Sequence, residues 1–504
     1  MRVLRLPSEI IEKVKKMKKK MKILKFKKDF HLFCRIYIVE VIYMMTRGKK
    51  DKKQLQLELV MLEQLVKKDH DLRKIDKHID FSFIYDLVEP YYAEDKGRPS
   101  IDPVVLFKMS LIQALDGIRS EEKLVEVVHH NMAYRWFLGY GLTETIPDHS
   151  TISHNRAVRF KDSTIYEDIF NEIVLQAIGH GFVNGNIVYT DSTHVKANAS
   201  NSKFENVTEE VVIEEDESLL MLVNEKRISK GQKPLKLKEP KISEKSRKVS
   251  KTDPDSGYMH RDRKPVGFYH LVHGTVDSAN NILLSAHVTP GNVHDSTVYI
   301  ENLEDMFEKL EIAPKYAGAD AGYFNIDIIQ ELSNKGITPV IGPRKYAGKK
   351  GKKSKYWFDY YPEEDVYKCF EDKELRYKTT TREGYVEYVS DKNICKDCPI
   401  RDKCLYESTT TGEILEDQTR VIRRHVKEHL ADEVRAFMKT EKGKKLYQRR
   451  KETIERAFAD LKELMGMRYA HYRGSQGVKA QVLMTGAAYN AKKIARLLDK
   501  QEKA

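Results

Sequence analysis

Apolar residues first recur at helical spacing between Gln54 and Val88, where Leu55, Leu59, Leu62, Leu65 and Val66 share one stripe. Beyond a loop at GRPSIDP (97–103), the same recurrence predicts helices over 104–115, 120–130 and 132–138, with Gly117 separating the first two. PDHSTISHNRAVRF (147–160) opens another helix, with Asp148 or Ser150 as N-cap and Arg156 and Arg159 on its surface. Short helices with tight turns and a basic last member fit a helix-turn-helix arrangement, and a purely structural bundle fits equally.

After Gly185 the period shortens. NIVYTDS (186–192) predicts a strand closing on an acid, and FYHLVHGTVDSANNILLSAHV (268–288) predicts two strands joined at 278–281. A helix over 298–310, a strand and turn at KYAGADAGY (315–323), a helix over 326–333 and a strand over 337–343 follow. A hairpin followed by alternating strand and helix implies a mixed α/β sheet. Residues 203–250 are highly charged with little periodicity and predict an inserted helix or a mobile segment. The stretch from about 345 to 428 reads as loop-rich, and the C-terminal stretch as helical.

Composition narrows the class. At 504 residues, 33% charged and 40% hydrophobic, the chain is a soluble globular protein large enough for two to four domains. Its net charge of +13 resides wholly in residues 1–54, which leaves the remaining 450 neutral. Residues 1–44 carry +9 of it without a clear amphipathic period, so translation starting at Met44 or Met45 is an expectation. Elsewhere the charge is local: RKYAGKKGKKSK (344–355) and residues 441–504, at +9, are basic, whereas EEVVIEEDE (209–217) is acidic. Basic patches on a neutral body fit nucleic-acid binding at defined places.

Of five cysteines, four (Cys369, Cys395, Cys398, Cys404) fall within 36 positions, which is not the spread of a secreted disulfide framework and points to a reducing cytoplasm. Four thiolates with one Cys-x2-Cys step could hold one tetrahedral Zn²⁺; reduced thiols packed in a small insert are the alternative. The apolar run 30–45 is interrupted by Arg35 and Glu40, too short and too charged to span a bilayer, and no signal-peptide cleavage site follows it.

The candidate chemistry lies in carboxylates. Asp191 closes the predicted strand IVYTD, and Asp320 closes YAGAD. Acids at the ends of adjacent strands are rigidly held and open to substrate, so they can converge on a metal. Taken singly, such an Asp is usually a turn or cap residue. A third acid comes from LYQRRKETIERAFADLKELMG (446–466). Ile454, Phe458, Leu461 and Met465 form its apolar stripe, while Lys451, Glu455 and Lys462 fall within about 60° of one another at 100° per residue. His287, His294 and Asp295 read as turn or hydrogen-bonding residues rather than ligands.

YTDST (189–193), GADAGY (318–323) and the helix carrying Glu455 resemble the three acidic blocks of bacterial insertion-sequence transposases of the DDE type. TPGNVHDS (289–296) and the helical block through DHSTISHNR (148–156) resemble the same group, so the likeness spans roughly 54–498. The resemblance implies an RNase H-like mixed sheet flanked by helices, an all-helical N-terminal DNA-binding domain (54–165) and a catalytic core in two parts (180–345 and 429–498). The core would be interrupted by the charged insert and by a cysteine-rich insert (346–428), and preceded by a basic leader (1–53), untranslated or disordered. It implies Asp191, Asp320 and Glu455 as ligands of two Mg²⁺ ions, with Mn²⁺ able to substitute. It also implies cleavage and strand transfer of double-stranded DNA by a homodimer in a bacterial cytoplasm. The family signature at the third acid is Tyr, two residues, Arg, three residues, Glu, six residues, Lys. Glu455 and Lys462 match its second half. Tyr447 and Arg450 have the right mutual spacing but leave Ile454 where Glu should stand; if Glu455 is the acid, Lys451 takes the Arg position. Glu452 has Ala459 rather than Lys seven residues on and ranks lower. The competing class is a non-enzymatic, zinc-containing DNA-binding regulator.

Overall fold

Local capping chemistry sets most helix starts in this computed structural model, which describes residues 61–93, 100–260, 266–343, 353–407 and 412–504. The basic leader, the first part of the 54–88 stripe and most of the basic run at 344–355 lie outside the described residues. After a single helical turn over Leu62–Leu65 come helices α1 (Asp71–His78) and α2 (Phe83–Val88). Asp102 accepts a bond from the Val104 amide and, with Pro103 in the first turn, starts α3 (Pro103–Leu115). Ser120 accepts from the Lys123 amide to start α4 (Glu121–His130), and Asn131 caps α5 (Met132–Leu138), which ends on left-handed Gly139. Asp148 caps α6 (His149–His154), and α7 (Ile165–Gly179) follows.

Strands β1 (Ile187–Lys196), β5 (Gly267–Asp277), β6 (Leu283–Pro290), β7 (Tyr316–Ala319) and β8 (Thr338–Ile341) build the central sheet in the order β6-β5-β1-β7-β8. β6 and β1 each run antiparallel to β5 between them, and the last two strands join in parallel, with α9 (Tyr299–Leu310) and α10 (Ile326–Asn334) in the crossovers. This is the RNase H-like arrangement. The short β4 (Gly257–Met259) shares the outer edge of β5 with β6. Every residue of β5 is buried, as a central strand covered on both faces requires.

The charged segment is neither an inserted helix alone nor without structure. β2 (Phe204–Ile213) and β3 (Lys241–Ser250) form a two-stranded ribbon exposed along nearly its whole length, with α8 (Glu217–Ser229) beyond it. With both faces in water, no alternation of apolar residues marks those strands. The stretch read as loop-rich contains a five-stranded antiparallel sheet instead, in the order β13-β12-β11-β10-β9. Its strands are β9 (Asp359–Tyr361), β10 (Val366–Lys368), β11 (Glu374–Thr380), β12 (Tyr385–Ser390) and β13 (Val421–His425), with α11 (Lys392–Lys396) and α12 (Arg401–Cys404) between the last two.

The chain closes with α13 (Glu428–Lys439), α14 (Glu441–Arg449), α15 (Ile454–Glu463) and the long α16 (Ser475–Glu502). One hydrophobic core runs from Leu72 in α1 through the sheet to Ala495 in α16, so the N-terminal helices share a core with the sheet. Asn490 ties α16 to β6, accepting from the Leu283 amide at 2.9 Å and donating to its carbonyl at 2.8 Å. Among the described residues no helix is long and apolar enough to cross a membrane.

Candidate active site

The sheet register places the first two acids. Tyr189 of β1 pairs with Gly318 of β7 in parallel, and extending that register by two residues sets Asp191 beside Asp320. Asp320 stands where β7 ends and caps the short turn Ala321–Tyr323, accepting from the Gly322 amide at 2.7 Å. Asp191 does not close its strand. β1 continues to Lys196 because β5 pairs with it antiparallel from Val188 to Lys196, with Gly274 opposite Asp191. Asp191 therefore lies just beyond the last residue of β1 that pairs with β7.

Two glycines let the third acid approach. A Cβ on Gly274 would lie 3.0 Å from the Phe458 ring, and one on Gly318 would lie 2.4 Å from the Tyr189 ring. Phe458, with Ile454, Ala457 and Leu461, forms the buried face of α15, so the helix seats on the sheet over β1 and β5. The Tyr189 hydroxyl donates to the Leu446 carbonyl at 2.7 Å and holds the end of α14 against the same sheet. Burial of Ile454, Phe458 and Leu461 contributes on the order of 5–9 kcal/mol to fixing Glu455 in place.

The helix carrying the third acid is not continuous, and this changes the reading of its cations. In an unbroken helix Arg450 and Glu455 would be about 140° apart. A tight turn over Arg450–Glu452 and a non-helical Thr453 (φ −109°, ψ −94°) separate α14 from α15. Across that break the Arg450 guanidinium donates to Asp191 Oδ2 at 2.8 Å and pairs with Glu455 Oε1 at 2.6 Å. Arg450, rather than Lys451, reaches both Asp191 and Glu455, and the break lies within the stretch that carries one residue more than the signature spacing. The Arg450 guanidinium lies 5.9 Å from the Tyr447 ring centroid. Lys451 and Glu452 are exposed on the turn, and Lys462 is half-buried two turns along α15 on the face of Glu455.

Electrostatics join the acids. Burial pushes Asp191 up to about 6; the Ser192 amide and Arg450 oppose the shift, and the charges of Asp320 and Glu455 add to it. Asp295, read from the sequence as a turn residue, does lie in a turn, but its Oδ1 is buried without a hydrogen-bond partner. Burial, then the charges of Asp295 and Asp191, raise the Tyr323 phenol, so Asp295 belongs to this neighbourhood. Its signal in the sequence was an acid inside TPGNVHDS with no helix to cap.

The donor chemistry of Asp191, Asp320 and Glu455, all carboxylate oxygen, suits a hard divalent cation, and Arg450 supplies positive charge between two of them. Among the described residues, however, no three His, Cys, Asp or Glu side chains are grouped closely enough to hold a metal ion. That applies to the cysteines too. Cys369, Cys395, Cys398 and Cys404 do line one cavity. Yet the Cys395 thiol donates to Ser390 Oγ at 3.0 Å, and burial pushes Cys404 up to about 11 against the pull of Arg420, with the other three thiols adding to the rise. The zinc expected from their spacing is not supported by this arrangement.

Residues 60–158 match the family described as "Transposase domain (DUF772)", and residues 368–495 match "Transposase DDE domain". The second match includes Glu455 and the four cysteines, while Asp191 and Asp320 precede it. No curated protein matches the chain. A solved piggyBac transposase synaptic complex with hairpin DNA is 10% identical, with a TM-score of 0.31 over 88% of this chain and 75% of that one. The chain thus carries the domains of a DDE transposase, the class its sequence resembles. The match to such a domain supports an enzyme of the nuclease or transferase kind.

Proposed function

We propose that this protein binds the ends of its own insertion sequence, cuts the DNA there and joins the freed ends to a target. The observation that carries this reading is Arg450 bridging Asp191 and Glu455 beside the strand end that holds Asp320. Those three acids would hold two Mg²⁺ ions, or Mn²⁺ in their place. Bound there, such cations would activate a water for in-line attack on a phosphodiester and stabilise the departing 3′ oxygen. Asp191 must then give up the proton that burial favours, and Arg450 compensates its charge. Lys451 and Lys462, with Tyr447, would hold backbone phosphates and set the strand's register without moving a proton. The 3′ hydroxyl released by hydrolysis is itself the nucleophile for the target phosphodiester, so joining needs no energy cofactor.

Two ends to be cut make a homodimer on DNA the natural assembly, and the bacterial cytoplasm the compartment. The helical block 54–165 would bind the ends. The cysteine-bearing lobe would hold a structural Zn²⁺ if its thiols closed around one, which elemental analysis of the purified protein tests. For the central reading, the assay is Mg²⁺-dependent cleavage of DNA carrying the inverted repeats that flank the gene. Asp191→Ala, Asp320→Ala and Glu455→Ala should each lose ~10³-fold or more in rate, the scale of several kcal/mol of metal-borne stabilisation. Full cleavage by all three variants would overturn it.

A further inference from the structure

The β2–β3 ribbon is anchored at both ends and bare between them. At its base the Lys251 amide donates to the Lys203 carbonyl at 3.0 Å, and just past its far end Glu215 accepts from Arg382 of the lobe at 2.8 Å. Between these anchors the ten residues of each strand span about 34 Å, and all but Phe204, Val207, Val249 and Ser250 are exposed. Of the 27 large apolar side chains exposed among the described residues, eight lie between 211 and 242, so apolar exposure is concentrated on the far end of the ribbon and on α8. A two-stranded ribbon with water on both faces is only marginally stable, and a cover over one face stabilises it.

The charges identify the cover. Side chains opposite one another in an antiparallel pair share a face. One face has Glu205 and Glu209 on β2 against Lys241, Lys245 and Arg247 on β3, so its acids lie along one strand and its cations along the other. Val211 and Ile213, 41% and 58% exposed, lie on that face too. The opposite face has no such order, since Glu210 stands directly across from Glu244. A two-fold axis along the strands, between two copies of the ordered face, sets β2 of each copy over β3 of the other at the same height. Glu209 of one copy then meets Lys245 of the other, and Ile213 meets the alkyl stem of Lys241. A two-fold axis across the strands would stack acid on acid. Within one copy Glu209 pairs with Arg247 at 2.6 Å, but both are open to water, so that pair is worth little and exchanges readily for a contact between copies. DNA fits this face poorly, because the acids of β2 would lie along its phosphates.

We propose that two copies of this chain associate through this face of the ribbon, about a two-fold axis parallel to its strands. The face covers roughly 350 Å² on each copy, at about 3.4 Å per residue and 5 Å per strand, which is below the roughly 800 Å² per partner of a stable interface. The contact is therefore weak by itself and sensitive to salt. It gives the homodimer a contact that needs no DNA, and it rests on the ribbon's charges rather than on the reading of the chain as a DNA-cutting enzyme.

The test is analytical ultracentrifugation of the full-length protein without DNA. At low salt the wild type should move from monomer toward dimer between about 1 and 100 μM. It should do so less at about 0.5 M salt, where the Debye length falls to about 4 Å. Glu205→Lys with Glu209→Lys makes the face basic throughout, and Lys245→Glu with Arg247→Glu makes it largely acidic. Each double variant alone should associate about 10-fold or more weakly, and an equimolar mixture of the two should recover the wild-type level, which also shows that both ribbons fold. Ser246→Glu, on the opposite face, should associate as the wild type does. In the unsubstituted protein, amide exchange in β2 and β3 should slow as concentration rises while β11 and β12 stay the same. A wild type that stays monomeric, double variants that associate normally, a mixture no better than its components, or ribbon exchange independent of concentration would each overturn the proposal. Loss of DNA cleavage by the wild type would refute the functional reading and leave this contact standing, and a monomeric wild type that cleaves would do the reverse.

Discussion

The central sheet and the cysteine-bearing lobe are both sheets of about the same strand number, yet they are held together differently. The central sheet lies inside one continuous apolar core reaching from Leu72 to Ala495. The lobe has a separate small core of Phe358, Tyr367, Leu375, Val386, Tyr388, Cys404 and Ile422. Polar contacts supplement it. Asp365, in a left-handed conformation (φ 53°), accepts from Tyr360 at 2.8 Å, from Tyr388 at 2.5 Å and from Lys226 at 2.7 Å, and pairs with Lys230 at 2.8 Å. Asp191, Asp320 and Glu455 thus ride on the part of the molecule with the larger apolar core, while the lobe, with its separate small core, is the part expected to open first.

The strongest break in that contrast is Phe458→Ala, which empties the seat of α15 on Gly274. It should cost about 3–5 kcal/mol in denaturant titrations and remove DNA cleavage as well. In the lobe, Asp365→Asn should cost about 2 kcal/mol, because Lys226 and Lys230 lose a half-buried partner. Hydrogen exchange should then rise in β10 to β12 while β1 and β5 keep their protection; a uniform rise over both sheets would erase the distinction.

Asp191→Asn sharpens the comparison through pH. Burial holds Asp191 at about 6 against an ordinary 3.8, so the folded chain binds that proton more tightly than the unfolded one. Its favourable contribution is complete below pH 4 and is lost as pH rises through 6. The Asn variant should therefore gain about 1–2 kcal/mol over the wild type above pH 6 and nothing below pH 4. Thermal melts at pH 4 and pH 8 decide it, and a gain of equal size at both would contradict the assignment. The smallest effect is expected at exposed Lys451, where replacement by Ala should change stability by less than about 0.5 kcal/mol.

Much of this was legible in the sequence where one face of an element is buried. The helices over 103–138, the hairpin of β5 and β6, and the two acids, Asp191 on β1 and Asp320 just past β7, all follow from apolar spacing and turn residues. The β2–β3 ribbon was not legible, because a strand wet on both faces shows no alternation. The lobe's sheet was hidden because its strands are short and its largest side chains are tyrosines, which read as neither apolar nor polar. The Arg450 contacts were lost for a different reason. Helical periodicity assumes an unbroken helix, and the turn at 450–453 rotates Glu455 back toward Arg450 in a way no 100° step anticipates.

The central claim is that Asp191 touches the cation that cuts DNA. Asp191→Cys tests it directly, because a thiolate is a poor ligand for Mg²⁺ and a better one for Mn²⁺. The variant should be silent in end cleavage with Mg²⁺ and recover in Mn²⁺, whereas the same exchange in Lys451→Ala should change nothing. Equal activity of Asp191→Cys in both metals would contradict the account.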